Sequence, residues 1–302
     1  MKNVFKNFGI KCSVFFLLMA TNALAQSSKN ENSLLWKISG NGLKADSYIL
    51  LTTTNLCKST PLNSKVTMAL NNVKYVCYEQ GSKDPKNKPK LQALGMVNNE
   101  KQAVKNNLSS SVYNGLVDKA TEAGLDENSI NMIKPVFLFK TIINNTIVEC
   151  NTSSTKVYED YVRDYANKKA IKQGELFGLE EYTKLFDSYD KAFWDKSIGF
   201  ILNNSGKMLT DLEAKESFYV QENMNGLKSL FSANSFLNAR YSYTDIENAK
   251  MKLSSTRIDA IAKSQPTLFL IDFASVANPK TSLFTFLDKL GYELSPVNNS
   301  DL

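Results

Sequence analysis

The chain has 302 residues, of which 43% are hydrophobic and 22% are charged, a composition typical of a globular protein with a sizeable core. Its formal net charge is only +6 and its basic residues are spread along the chain, which argues against binding to nucleic acid or to an acidic lipid surface. The sequence contains no histidine, which excludes an imidazole base, a Ser–His or Cys–His nucleophile pair and a His-ligated metal. A carboxylate-only Ca²⁺ or Mg²⁺ site stays open, although no D-x-D-x-D-G loop suggests one.

Residues 1–25 have the three parts of a secretory signal peptide. A lysine-containing start is followed by an apolar stretch at 14–20 and by the small-residue cleavage site Ala23-Leu24-Ala25. The apolar stretch is too short to span a bilayer. We therefore predict cleavage near Ala25-Gln26 and a secreted or periplasmic protein without a transmembrane anchor after cleavage. An uncleaved anchor is the alternative.

The stretch from Ser33 to Cys57 predicts a β-hairpin that ends in polar side chains. Leu34 to Ile38 form an apolar strand, Gly40-Asn41-Gly42 suits a turn with positive φ, and residues 48–51 form a second strand. Three threonines at 52–54 then follow the second strand. In mixed α/β proteins, such strand ends usually carry the side chains that contact ligands.

The next segments predict a parallel arrangement. A short helix at 65–70 and an apolar strand at 73–78, which closes on Glu79, follow the hairpin. A strand, a helix and a strand at this spacing indicate a right-handed crossover between parallel strands. From residue 91 to residue 264 the apolar periodicity is mostly helical.

The C-terminal part predicts a strand–helix–strand unit. Residues 266–273 are apolar enough for a central strand, a helix at 282–290 ends at Gly291, and residues 292–297 form the last strand. The predicted fold class is therefore α/β (α+β), with a central mixed, partly parallel sheet, an N-terminal β-hairpin and a large helical insertion. We expect a single domain over residues 26–302, made of the N-terminal hairpin and βαβ unit, the mostly helical region and the C-terminal strand–helix–strand, at 31–81, 91–264 and 265–298.

The sequence resembles the TraB/GumN family (TraB/PrgY/GumN, Tiki-like). Leu34 to Lys44 read LLWKISGNGLK, and bacterial members begin LLWKISGNGLKKPSYLFGTIHL or close to it. Residues 133–139 match the family's M-K-P-F-F-L helix start, and residues 266–297 match its T-F-F-A-V-G-A-G-H-L strand, helix and G-Y-x-V-x-P-V strand. The resemblance extends from Ser33 to Val297 and is strongest at the two ends.

In intact members, the resemblance implies a metal-dependent hydrolase-like site with two histidines and acids at strand ends, as proposed for the Tiki proteases. This chain departs from that pattern in several separate segments. Thr54 and Ser275 stand at the two histidine positions, Lys250 at an arginine position and Asp272 at a glycine position, whereas Glu79 keeps one acid of an L-E-x-D pattern.

Glu180 is a further candidate for the site that the resemblance implies. The triplet Gly178-Leu179-Glu180 copies a G-L-E-T strand end of the family, but an ungapped alignment places Phe177 at the glutamate position. The alternative is an exposed acid at a helix N-terminus, where the helix dipole favours it.

The cysteines after residue 25 divide into two kinds. Cys77 lies in the apolar strand and is expected to be a buried thiol. Cys57 and Cys150 follow a strand end and a helix end, where related family members carry cysteines, so the resemblance implies a Cys57–Cys150 disulfide. Two free thiols are the alternative.

Two main functional hypotheses follow, together with a third. The first is an exported, catalytically inactive member with a binding, regulatory or scaffold role, a protein or peptide partner in the cell envelope, and no cofactor. In this hypothesis, Asp272 pairs with Lys250 in the vacated site. The second is a diverged hydrolase or peptidase of the envelope in which Glu79 and Asp272 share acid–base work without histidine. A structural envelope protein without a ligand site is the third.

Overall fold

The structure is a computed structural model, and it describes residues 32–54, 56–81, 85–122, 124–146, 155–231 and 244–298. Within these residues, six strands form one sheet. The strands are β1 (Leu35–Gly40), β2 (Ser47–Thr52), β3 (Tyr75–Gln80), β4 (Lys172–Phe177), β5 (Thr267–Asp272) and β6 (Tyr292–Pro296). Their order across the sheet is β4-β3-β5-β2-β1-β6.

The sheet is mixed, as predicted. Strands β4, β3, β5 and β2 run parallel, whereas β1 is antiparallel to both β2 and β6. Strand β5 lies between β3 and β2 and is almost completely buried, which confirms the central position expected from its apolar sequence. Because β2, β3 and β5 are parallel, their carboxyl ends meet at one edge of the sheet, where Thr52 is in register with Asp272.

The hairpin turn forms where the glycines predicted it. Residues Gly40, Asn41 and Gly42 have φ values of 81°, 44° and 75°. Only glycine and, less often, asparagine adopt this region readily, so the triplet suits a tight reversal between β1 and β2. The predicted strand at 73–78 instead spans Tyr75–Gln80, because Val73 caps the preceding helix; Glu79 therefore lies inside the strand.

The described residues also form fourteen α-helices. They are α1 (Ser64–Asn72), α2 (Lys88–Gly95), α3 (Val104–Asn107), α4 (Ser110–Glu122), α5 (Glu127–Asn131), α6 (Pro135–Thr146), α7 (Tyr158–Lys168), α8 (Leu179–Phe186), α9 (Lys191–Asn203), α10 (Ser205–Val220), α11 (Met224–Leu230), α12 (Thr244–Ser264), α13 (Ala274–Ala277) and α14 (Leu283–Lys289). Two short 3₁₀ segments cover Pro85–Asn87 and Glu100–Gln102. None of the described helices is long and apolar enough to cross a membrane.

The helices pack into two main cores. One core is built on the sheet and includes apolar residues of α1, α7, α12 and α14. The other lies within the helical insertion and is formed by α3 to α6 and by α9, with Tyr189, Phe193 and Trp194 at its centre. Phe186 at the end of α8 packs against both cores. The insertion therefore folds back over the sheet, and the carboxyl edge of the parallel strands faces it.

Candidate functional site

A cavity of about 660 Å³ lies between the carboxyl edge of the sheet and the helical insertion. The ends of β2, β3 and β5 supply its polar side, and α6 to α10 supply most of the opposite side. Ligands of open α/β sheets bind at this edge, because parallel strands end there and their loops diverge. On the sheet side, the lining residues include Thr53, Thr54, Tyr78, Glu79, Gln80, Asp272 and Ala274.

Glu79 is the most enclosed acid of the cavity, with a side chain only 7% exposed. Its Oε1 lies 2.6 Å from Lys250 Nζ, and its Oε2 accepts a hydrogen bond from the backbone N–H of Asp272 at 2.8 Å. The Ser275 hydroxyl donates to Oε1 at 3.4 Å, and Lys250 Nζ donates to the same hydroxyl at 3.5 Å. Both carboxylate oxygens of Glu79 are therefore occupied, and its charge is neutralised inside the protein.

Asp272 lies beside Glu79 but does not pair with Lys250, so the predicted Asp272–Lys250 pair is wrong. The Asp272 Oδ1 accepts a hydrogen bond from Ala274 N at 2.8 Å, at the turn into α13, while Lys250 approaches Glu79. Strands β3 and β5 are neighbours, so Glu79 and Asp272 lie at the same edge of the sheet. Glu79 is the more buried of the two, and without Lys250 its charge would be uncompensated. The half-buried Asp272 side chain keeps its charge at the cavity.

The threonines at the end of β2 lie in or beside the cavity wall. The Thr52 hydroxyl donates to Glu159 Oε1 at 3.1 Å, which joins the end of β2 to α7. Thr54 has an exposed side chain that lines the cavity, and its backbone carbonyl accepts a hydrogen bond from Lys215 Nζ at 2.7 Å. Thr54 thus lines the cavity and Ser275 is buried beside Glu79 and Lys250, and each contributes a hydroxyl rather than a metal-binding imidazole.

Two lysines bring further charge to the cavity. Lys215, on α10, is only 4% exposed, and burial lowers its pKa to about 8, with the nearby negative charges of Asp272 and Glu216 acting in the opposite direction. Lys140, on α6, has a side chain that is exposed into the cavity yet surrounded by protein. Desolvation in this enclosed position lowers the pKa of Lys140, again opposed by Asp272.

Glu180 is not brought to the site. Its side chain is 61% exposed in the first turn of α8, forms an ion pair with Lys90 at 3.2 Å and does not line the cavity. The neighbouring Glu181 is held by both terminal nitrogens of Arg257, at 2.8 Å and 2.6 Å. Phe177, at the other alignment position, is fully buried at the end of β4.

The residues present do not fit the metal that the family resemblance implies. Among the described residues, no group of three or more His, Cys, Asp or Glu side chains is placed to hold an ion. Glu79 binds Lys250 instead, and Ser275 is 2% exposed and turned toward the same pair. A cation next to Lys250 would meet direct charge repulsion.

The cysteines do not add a reactive group to the described site. Burial, together with the charge of Glu175, raises the pKa of Cys77 to about 12, so this buried thiol stays protonated at neutral pH. The backbone N–H of Cys57 donates to Glu216 of α10. Cys150 lies outside the described residues, and the Cys57–Cys150 disulfide remains a prediction.

Sequence reasoning missed Lys140, Lys215 and the aromatic wall of the cavity. Lys140 had a usable signal, since it is the single charged residue in the apolar run VFLFKTII at 136–143. Such a charge on an otherwise apolar helix indicates a polar contact or a cavity. Lys215 had no such signal, because it lies among other charged residues of α10.

Comparison with known proteins agrees with this arrangement at the level of the family. The model of the TraB/PrgY/gumN family matches residues 34–296, which includes every strand of the sheet and the helical insertion. No curated protein and no solved structure matches the chain. The match extends over nearly the whole sequence, and the chain therefore belongs to the TraB/PrgY/gumN family.

Proposed function

We propose that this protein is an exported member of its family that binds a ligand in the cavity and does not hydrolyse it. The observation that carries this proposal is the Glu79–Lys250 ion pair, with its 2.6 Å separation and with both side chains 7% exposed. The pair occupies the acid that a hydrolytic mechanism would need, while the cavity beside it stays open.

General acid–base catalysis needs a group whose proton can move to or from the substrate. Both Glu79 oxygens already accept bonds from Lys250 and from the backbone of Asp272. Asp272 retains a cavity-facing carboxylate, but one oxygen accepts a bond from Ala274 N. A pair of carboxylates with separate acid and base roles is therefore poorly supported by this geometry.

The form of the cavity supports binding. Its volume of about 660 Å³ falls within the range of ligand sites, which is roughly 300–1,000 Å³. Aromatic side chains from α6, α8 and α9 line one side, and a few charged and hydroxyl groups line the other. This combination of apolar area with a few orienting polar groups is typical of small-ligand sites.

A hydrolysis assay on the protein without residues 1–25 tests the proposal. We expect no cleavage of a mixed peptide library above background, with or without added Zn²⁺, Mn²⁺ or Ca²⁺. Asp272→Asn and Glu79→Gln are then expected to leave that background unchanged, as is the control Glu180→Gln, which removes a carboxylate outside the cavity. Cleavage that folded Asp272→Asn protein lacks and Glu180→Gln preserves would instead establish the diverged hydrolase.

Tryptophan fluorescence can report ligand entry, because the chain contains two tryptophans in different places. Trp194 lines the cavity, whereas Trp36 packs against Phe284 on the sheet, with ring centroids 4.8 Å apart. In a Trp36→Phe variant, Trp194 is the only tryptophan, so a brominated apolar ligand that enters the cavity is expected to quench the fluorescence. An unchanged Trp194 signal across a series of brominated alcohols and acids would contradict cavity binding.

A further inference from the structure

The part of the cavity wall formed by α6, α8 and α9 is mainly apolar. Six of the aromatic residues that line it come from these three helices. They are Phe137, Phe139, Tyr182, Phe186, Phe193 and Trp194. A ligand that fills this side must therefore present an apolar body, because polar groups placed against these rings would lose their hydrogen bonds to water.

In the part of the chain that the structure describes, Lys140 lies against three of these rings, whereas Lys250 contacts Tyr182 alone. The Lys140 Nζ lies 5.9, 6.0 and 5.4 Å from the ring centroids of Phe137, Tyr182 and Phe186. The described residues provide no carboxylate oxygen within 4.0 Å of this nitrogen and no hydrogen-bond acceptor for it. The ring faces attract the ammonium, but they do not replace the hydrogen bonds that water gave it.

The other basic residues near the cavity have partners. Lys250 is bound to Glu79, and Lys215 donates to the Thr54 carbonyl. Arg163 places its guanidinium 4.3 Å from the ring centroid of Tyr78, on the sheet side. Lys140 therefore differs from them in having donors that face the cavity without an acceptor from the described residues.

We infer that the cavity binds an amphiphilic monocarboxylate of the fatty-acid type, with its carboxylate on Lys140 and its apolar chain along the aromatic rings. A carboxylate supplies an opposite charge in direct contact and the acceptor lone pairs, neither of which Lys140 has within 4.0 Å, and charge-assisted hydrogen bonds of this kind are among the stronger ones. This inference rests on the proposed binding function and names its ligand class.

The sheet side of the cavity sets the charge of the ligand. Asp272 at the end of β5 and Glu159 at the start of α7 both line the cavity next to the sheet, and neither forms an ion pair with Lys140, although the charge of Asp272 raises the pKa of Lys140. A second negative charge on the ligand would approach these carboxylates and be repelled. One negative charge next to a long apolar body is therefore preferred over a dianion such as a phosphate monoester.

The test compares two probes that differ only in the head group. Dibromostearate and dibromostearyl alcohol are titrated into the Trp36→Phe protein, and quenching of Trp194 gives the affinity of each. We expect the acid to bind about tenfold or more tightly than the alcohol, as charge-assisted hydrogen bonding allows. Lys140→Met is expected to remove this advantage, so that the acid and the alcohol bind the variant with similar affinities.

Two further variants separate charge from packing. Lys140→Arg keeps the positive charge and is expected to retain most of the preference for the acid. Lys252→Met removes an exposed lysine of α12 that does not line the cavity, and it is expected to change neither affinity. Circular dichroism of each variant establishes that it is folded before titration.

The outcomes separate this inference from the proposed function. Equal affinities for the acid and the alcohol, or an acid affinity that survives Lys140→Met, would overturn the inference while the binding function stands. Absence of quenching by the acid would also overturn it. Peptide cleavage that depends on Asp272, together with a Lys140-dependent preference for the acid, would refute the proposed non-hydrolytic function and leave the ligand class intact.

Discussion

Replacement of Lys250 by methionine is expected to destabilise the protein strongly. The variant keeps the volume of the side chain but leaves the Glu79 carboxylate, which is 7% exposed, without the cation that lies 2.6 Å away. Removal of one partner of a buried ion pair typically costs about 3–5 kcal/mol, because the remaining charge stays desolvated. The bond from Asp272 N to Glu79 Oε2 remains, and it offsets only part of this cost.

The double variant Glu79→Gln/Lys250→Met gives a sharper expectation. A glutamine oxygen still accepts the bond from Asp272 N, and no charge is left buried. The free energy of unfolding of the double variant is therefore expected to lie within about 1 kcal/mol of the wild-type value, since neutral replacements of buried pairs are often tolerated. The double variant should thus be more stable than Lys250→Met alone by about 2–4 kcal/mol.

Urea unfolding followed by far-UV circular dichroism measures these differences on the protein without residues 1–25. Lys252→Met, on the same helix but exposed, is the matched control and is expected to stay within about 0.5 kcal/mol of wild type. The reasoning is refuted if Lys250→Met loses less than about 1 kcal/mol, or if the double variant is as unstable as Lys250→Met, since a buried uncompensated charge predicts neither result.

Three other predictions follow from the site and the sequence. Burial lowers the pKa of Lys215 to about 8 from an ordinary 10.5, so its charged form destabilises the fold below pH 8, and this penalty is relieved as the pH rises toward 10.5. In urea titrations, the stability of the wild type relative to Lys215→Met should therefore increase by about 2–3 kcal/mol between pH 7 and pH 10. A constant difference would contradict this. Non-reducing peptide mass spectrometry is expected to find Cys57 joined to Cys150, and Cys57→Ser should cost about 4 kcal/mol of unfolding free energy in the chain-entropy model; a free thiol at both positions would disprove the bridge. N-terminal sequencing of the protein expressed in a bacterial host is expected to begin near Gln26, whereas retention of residues 1–25 would point to the uncleaved anchor.

Most of the architecture could be predicted from local sequence patterns. Alternating and continuous apolar runs predicted the hairpin and the central strand β5, and the glycines at 40 and 42 predicted the turn. These features depend on neighbouring residues, because strand and turn preferences arise from a few adjacent dihedral angles. The absence of histidine is a property of the composition, and it limits the available chemistry however the chain folds.

The details of the site needed the tertiary structure. Sequence alone placed Glu79, Asp272 and Ser275 near strand ends, and the parallel sheet brings these ends together. It did not predict that Lys250 would pair with Glu79 rather than with Asp272, since this pairing depends on how α12 approaches the sheet. It also left Glu180 as a candidate, although the N-terminus of α8 holds its side chain at the surface.

The sequence by itself therefore determined the family pattern, the parallel core of the sheet and the loss of imidazole chemistry. Only the tertiary structure decided which charges meet and which face the cavity. The physical reason is that the pairing of Lys250 and the isolation of Lys140 are set by helices that are distant in sequence and packed over one sheet edge. Local propensity carries no information about such long-range contacts, which depend on the closure of the whole insertion over the sheet.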